Sequence, residues 1–278
     1  MKAAAFAYER PTDLNTALAL MTRAGGTAKI IAGGQSLGPM LNLRLVEPDM
    51  IIDISGLSEL KRAERDDDEL VIGACVTHGD IEDGRIPDVT RGAMQRVASA
   101  IAYRAVRNRG TIGGSLSHAD PAADWVSSLS GLGARVALRS AAGVRNLAIE
   151  KFITGALESA LQPGEIVEAV RVPVMAPSAR WGYVKACRKI GEFAHAIAAV
   201  LIDPERATAR VVLGALEAAP IVLSDASALF GGRVTGDFKH HFDPRAADAV
   251  LTKAGVADAV DRHIHVAVLG RAINEAAA

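Results

Sequence analysis

Cysteine is nearly absent from this chain of 278 residues, with Cys75 and Cys187 the only two. Two thiols fall short of the four ligands that an iron–sulfur cluster ordinarily takes, so any cluster working with this chain belongs to another one. Both cysteines lie in apolar or mixed segments and read as buried thiols, not as a disulfide or a redox pair. A surplus of one charge is lacking too: 31 Lys and Arg face 32 Asp and Glu, a formal net charge of -1. That balance leaves no basic footprint for nucleic acid, and the largest charge run, residues 64–69, is mixed and mostly acidic. No window approaches eighteen uninterrupted apolar residues, and residues 1–10 do not show the basic-then-apolar layout of a leader. The expectation is a cytoplasmic protein with no membrane span.

Local catalytic signatures are missing as well. No Ser–His–Asp set, zinc-binding helix or pair of carboxylates stands in a diagnostic context, no glycine loop ends in Gly-Lys-Ser/Thr, and no G-x-G-x-x-G opens a helix. His240 and His241 are adjacent while His263 and His265 are two apart, spacings that point to different faces of a helix. The catalytic residue set is therefore empty, and chemistry on this chain would fall to an organic cofactor, with the protein supplying binding and electrostatics.

What is present begins with apolar residues, half of the chain, enough to bury the cores of two or three domains. Periodicity predicts a helix over 14–24 capped by Thr12 or Asp13, a strand at 29–32, a short helix from Ser36 to Leu41 and strands at 50–54 and 70–76. It continues with a helix starting near His78 behind Thr77, helices over 91–102 and 124–132, a hairpin of 135–139 with 144–149, and a strand at 165–172. Residues 175–178 read as a linker. Beyond them come strand-like segments at 180–188, 194–202 and 209–216 and helices near 246–253 and 262–276. Domain boundaries are placed at 1–56, 57–175 and 176–278.

Two glycine pairs stand out. Ala32-Gly33-Gly34-Gln35-Ser36 follows an apolar run, and about eighty residues later comes Thr111-Ile112-Gly113-Gly114-Ser115-Leu116-Ser117-His118-Ala119-Asp120-Pro121-Ala122-Ala123-Asp124. Bare glycine backbone followed by small hydroxyl residues lets N–H groups approach an anion such as a phosphate. Read so, both stretches are loops closing on one diphosphate; glycine pairs such as Gly25-Gly26 and Gly231-Gly232 read only as turns. Within the second stretch, His118 is either a ligand contact or a structural residue. Asp120 and Asp124 either cap the next helix or bond a hydroxylated ligand, with capping the default for at least one. His195, in an apolar segment, reads as structural.

These two stretches together resemble the flavin-binding subunit of the molybdenum hydroxylases, a family that includes the medium subunit of aerobic carbon monoxide dehydrogenase and the flavin domain of xanthine dehydrogenase. The segment from Trp181 to Ala194, with Lys185, Arg188 and Gly191-Glu192-Phe193, resembles the start of that family's C-terminal domain. The resemblance implies an α+β chain with a PCMH-type FAD-binding fold of two α/β subdomains plus a smaller C-terminal α+β domain, and an FAD whose diphosphate is gripped by both glycine stretches. Carried over, Ile30, Ile31, Ala32, Gly33, Gly34, Gln35, Ser36 and Leu37 line the cofactor, as do Thr111, Ile112, Gly113, Gly114 and Ser115, with His118 and Asp120 beside them. Asp124 bonds the ribityl or phosphate region, Val167 contributes backbone, Lys185 approaches the flavin edge, and Phe193 lies near the isoalloxazine. Gln35 stands where some members have His, and Phe193 where many have Tyr.

The resemblance further implies a large subunit that carries molybdopterin and reads the substrate, and a small subunit with two [2Fe–2S] clusters. This chain then passes electrons to NAD, a quinone, another carrier or dioxygen, within a dimer of heterotrimers. A stand-alone flavin oxidoreductase and a non-catalytic nucleotide-binding module are the alternatives.

Overall fold

The computed structural model describes residues 2–189 and 191–278. The chain begins with β1 (Ala7–Glu9), α1 (Leu14–Ala24), β2 (Ala28–Ile31), α2 (Leu37–Asn42) and β3 (Met50–Asp53), whose strands form a parallel sheet in the order β1-β3-β2. Helix α1 starts because the Asp13 carboxylate accepts from the Thr16 N–H at 2.8 Å, and it stops at Gly25, whose φ of 59° lets its N–H return to Thr22. Its buried face of Leu14, Ala17 and Leu18 packs with Ile52, Ile54, Leu57 and Leu60. Parallel pairing requires a crossover after each strand, and the crossover after β2 is the segment that carries Gly33-Gly34.

The next unit holds β4 (Ala63–Asp66), β5 (Glu69–Gly73), β6 (Arg135–Ser140), β7 (Gly143–Ala148), the small pair β8 (Ile153–Gly155) and β9 (Glu158–Ser159), and β10 (Ile166–Pro173). The larger sheet is antiparallel throughout, in the order β4-β5-β10-β6-β7. Around it lie α3 (His78–Glu82), α4 (Ala93–Ser99), α5 (Arg104–Arg107), α6 (Ile112–His118), α7 (Asp124–Gly131) and α8 (Ile149–Phe152). The charge run 64–69 is the β4–β5 hairpin, and Glu69 is bound from across the sheet by Arg135 at 2.8 Å and Arg171 at 2.9 Å. Strand β5 ends at Gly73, where a β-carbon would lie 2.3 Å from the Leu60 carbonyl oxygen. Ala74 still donates to Glu168 of β10, and the carbonyls of Ala74 and Val76 accept from the first N–H groups of α6.

The last unit is the antiparallel meander β11 (Arg180–Ala186), β12 (Ala196–Asp203), β13 (Thr208–Gly214) and β14 (Ile221–Leu223), covered by α9 (Pro244–Lys253) and α10 (Ala259–Ala276). Helix α10 comes so near β11 that a β-carbon on Gly182 would lie 1.9 Å from the Ala272 carbonyl oxygen. Every residue of α7 is buried, and Trp181, Ala199 and Val212 of the meander share its apolar cluster. This helix binds the meander to the rest of the molecule. His195, read as structural within an apolar segment, is exposed because it lies on the connection before β12 and not within the strand. Cys75 is buried, its thiol pushed up to about 12 by burial and so unreactive, whereas Cys187 is only half-buried.

Gly113 is also closely packed, since a β-carbon there would lie 2.4 Å from that of Ala74. Gly113→Ala is expected to destabilise the ligand-free chain by roughly 1–3 kcal/mol through overpacking. Gly38→Ala, at a helical position with open space around it, should be neutral or stabilising by up to about 1 kcal/mol. Urea unfolding of the two variants checks the contrast, and equal midpoints would refute the close packing.

Candidate flavin-binding cleft

A cleft of about 550 Å³ opens where the first unit, the α5–α7 region and the meander face one another. That volume is in the range of small-molecule and cofactor sites. All but one of the residues singled out from the sequence line it: Ile30, Ile31, Ala32, Gly33, Gly34, Gln35, Ser36, Leu37, Thr111, Gly113, Gly114, Ser115, His118, Asp120, Asp124, Val167, Lys185 and Phe193. Ile112 is the exception. It is fully buried in the core with Ile72, Leu116 and Trp125, and its N–H donates to the Val76 carbonyl at 3.1 Å.

The two glycine stretches are built differently. The first is a turn between β2 and α2 in which Gly34 takes a φ of 72°, a left-handed conformation suited to glycine. The N–H groups of residues 33–37 have no hydrogen-bond acceptor among the described residues. Five successive unpaired donors in residues that line a cleft, all but Gln35 half-buried, are the arrangement that suits an anion.

The second stretch is not a loop. Residues 112–118 form α6, and all four N–H groups of its first turn are already used: Ile112 to Val76, Gly113 to Ala74 at 3.0 Å, Gly114 to the Thr111 hydroxyl at 3.1 Å, and Ser115 to the Thr111 carbonyl at 3.0 Å. Of the two stretches expected to grip a diphosphate through bare backbone N–H groups, only the first therefore has such groups unpaired among the described residues. The reason lies in the cap, because Thr111 and the strand-like segment 74–76 fill the positions an anion would take. What α6 offers the cleft is the exposed backbone of Gly114 and the side chains of Ser115 and His118.

The glycines at 33 and 113 likewise serve the protein before any ligand. A β-carbon on Gly33 would lie 1.9 Å from the Arg109 carbonyl oxygen and 2.9 Å from the Gly110 α-carbon. Backbone thus lies on backbone where the first unit meets the second.

Neither carboxylate caps α7 directly. Asp120 closes its own turn by accepting from the Ala122 N–H at 2.8 Å, and Asp124 is the first residue of α7, behind Ala123. Asp124 accepts from Lys185 Nζ and from the Tyr183 hydroxyl, both at 2.8 Å, and Lys185 also donates to the Ala100 carbonyl at 2.8 Å. Burial raises the Asp124 carboxyl above its ordinary value while Lys185 and Tyr183 draw it back. Burial, reinforced by the adjacent Asp124, holds the Tyr183 phenol well above 10.0. The Asp124–Lys185 pair therefore ties β11 to α7 and, through Lys185, to Ala100 at the end of α4.

Val167 sits at a bulge in β10, where the register to β6 shifts between Val167 and Ala169. A bulge re-aims backbone toward a site at the edge of a sheet. Phe193 is 70% exposed at the mouth, and next to it Gly191, at φ 90°, rests against the Tyr103 ring.

Sequence reasoning missed several residues of this wall. Glu165 is buried and bound by Arg145 through two contacts of 2.6 and 2.7 Å. His78, 5% exposed, also lines the cleft, and its Nδ1 accepts from Trp125 Nε1 at 3.0 Å. Burial, with Arg107 adding to it, lowers the His78 imidazole from 6.5 to about 4. Nothing in the pattern around Thr77 separates His78 from an ordinary helix-start residue, and its role is visible only once Trp125 and Gly110 are brought against it.

The chain is similar to known proteins in sequence and in fold. The family described as FAD binding domain in molybdopterin dehydrogenase matches residues 4–175. The caffeine dehydrogenase subunit beta of Pseudomonas sp. (strain CBB1) is 34% identical over 96% of this chain and 99% of its own length. The carbon monoxide dehydrogenase medium chain of Hydrogenophaga pseudoflava is 34% identical over 71% of this chain and 69% of its own. A solved carbon monoxide dehydrogenase from that organism, lacking the Mo-pyranopterin moiety of its molybdenum cofactor, superposes with a TM-score of 0.86 at 28% identity, covering 99% of this chain and 98% of that one.

Two outcomes follow from the buried polar groups. Asp124→Ala strands the Lys185 charge and should cost roughly 3–5 kcal/mol, much of it recovered when Lys185→Met is added; urea unfolding of the single and double variants measures both. His78 has a folded value near 4 against an ordinary 6.5. Between those values the unfolded chain takes a proton that the folded chain refuses. Its stabilising effect is complete above 6.5 and fades as pH falls, by about 2 kcal/mol at around pH 5. In His78→Gln that part of the acid loss should disappear; an unchanged slope would contradict the assignment.

Proposed function

This chain belongs to the family of FAD-binding domains in molybdopterin dehydrogenases, and from that premise we propose that it is the FAD-carrying electron-transfer subunit of a molybdenum-containing hydroxylase or dehydrogenase complex. As such it is part of an oxidoreductase. The observation that carries the reading is the run of unpartnered N–H groups over residues 33–37 on a cleft of cofactor size.

The residues present fit FAD. The backbone of residues 33–37 and the Ser36 and Ser115 hydroxyls supply donors for a diphosphate, a role that suits small side chains and a left-handed glycine. Apolar Ile30, Ile31, Leu37 and Ile101 supply wall for flat ring surfaces. Lys185 and Asp124, locked together, set a fixed polar pair at the inner wall, and Phe193 shields the mouth from water. When bound, FAD supplies a redox centre that exchanges electrons singly with iron–sulfur clusters and in pairs with an acceptor.

Two cysteines cannot hold such clusters, so they are assigned to a small iron–sulfur subunit with two [2Fe–2S] centres. Molybdopterin, and with it the choice of substrate, is assigned to a large subunit. The assembly proposed is a dimer of heterotrimers in the cytoplasm, with NAD, a quinone, another carrier or dioxygen as acceptor. Among the described residues no helix is long and apolar enough to cross a membrane.

The reading makes the diphosphate the main handle, and this can be tested with the full chain. Titration monitored by flavin fluorescence should give FAD an affinity at least about tenfold above that of FMN or riboflavin, a difference of about 1.4 kcal/mol. Equal affinities would remove the diphosphate role, and a chain that binds no flavin would overturn the reading.

A further inference from the structure

His78 opens α3 and is almost wholly buried, yet part of it reaches the cleft wall. Two contacts decide how its ring is presented. The first is Trp125, a residue of the fully buried α7, whose indole nitrogen lies 3.0 Å from Nδ1. An indole N–H only donates, so Nδ1 must accept, and the single proton of the neutral ring resides on Nε2. The second is Gly110, where a β-carbon would lie 2.8 Å from Nε2 and 2.9 Å from Cδ2. The ring edge bearing the proton is therefore seated over a bare α-carbon beside the entrance to α6.

Nε2 has no hydrogen-bond partner among the described residues. It is also absent from the fully enclosed unpaired polar atoms, which are Ser127 Oγ, Arg139 Nε and Trp181 Nε1. Nε2 is thus not fully enclosed, and the cleft that His78 lines is the open space beside it. A buried N–H without an acceptor is costly, and the shape of the wall leaves the cleft as the place where one would arrive.

We propose that His78 is a neutral, tautomer-locked hydrogen-bond donor to an acceptor atom of the bound flavin nucleotide, held in that state by Trp125. This rests on the flavin reading given above. The surroundings keep the ring uncharged: Arg107 of α5 opposes a second proton, α7 presents only the uncharged Trp125, and the acids of α3 are engaged elsewhere. Asp80 accepts from the N–H and hydroxyl of the cap residue Thr77 and pairs with Arg85, and Glu82 is bound by Arg104 and Arg107. Asp124, next to Trp125, is paired with Lys185. The donor therefore acts at unchanged strength across the neutral pH range, unlike an imidazolium that would bind a phosphate more tightly as pH falls.

The test uses the full chain labelled with ¹⁵N-histidine. The expected spectrum shows a His78 ring with unprotonated Nδ1 and protonated Nε2, constant from about pH 5.5 to about pH 8, and saturating FAD should shift the Nε2–H resonance. In Trp125→Phe the lock is lost and the two tautomers should mix. His78→Gln, which keeps an N–H donor, should bind FAD within about threefold of wild type, whereas His78→Met should lose about tenfold or more, with the ligand-free melting temperatures compared alongside. Wild-type binding with an unmoved His78 resonance, or His78→Met binding as wild type does, overturns this assignment alone. A wild-type chain that binds no FAD overturns the flavin reading, and the assignment with it.

Discussion

The cleft exists because two α-carbons carry no side chain. Gly33 lies against the Arg109 carbonyl and Gly113 against Ala74, and at both places even one methyl group would force backbones apart. These contacts bring the turn after β2, the α5–α6 connection and the segment after β5 to one point. The same contacts explain why the two glycine pairs look alike in sequence and differ in use. In each pair the first glycine packs against protein, leaving the second, Gly34 or Gly114, free to face the cleft. Only the turn at 33–37 keeps its N–H groups unpaired, because it has no counterpart to Thr111 capping its helix.

A second constraint holds the meander in place. Asp124, Lys185 and Tyr183 form a buried polar cluster whose members come from α7 and β11, with the Ala100 carbonyl at the end of α4 as a further acceptor. Buried ions of this kind add little net stability compared with apolar packing, but they penalise any other arrangement. The cluster therefore fixes position more than it adds stability. It fixes β11 against α7 and the end of α4, where Lys185 and Asp124 line the cleft.

Much of this was legible in the sequence where one local signal dominates. Thr12 or Asp13 and Gly25 delimit α1, alternation marks β10, apolar runs mark β11 to β13 as strand-like, and the glycine pairs mark stretches that line the cleft. Short elements were harder, because α6 has seven residues and its glycines weigh against a helix. It forms since Thr111 caps it and the segment 74–76 accepts its first N–H groups, partners more than thirty residues away. Ile112, carried over by resemblance with the glycines around it, turns its side chain into the core, and His195 falls one residue before the strand that its apolar neighbours suggested. His78 and Trp125 carry no local signal at all, since their meaning comes from contact across 47 residues.

The central claim is that the backbone donors of residues 33–37 hold the diphosphate of FAD while those of residues 112–115 are committed to the protein. Hydrogen–deuterium exchange of the full chain, read with and without saturating FAD, tests it most directly. The account predicts that amides 33–37 exchange rapidly in the free chain and are slowed on binding, while amides 112–115 are protected in both states. Unchanged exchange at 33–37 in the presence of bound FAD would contradict it.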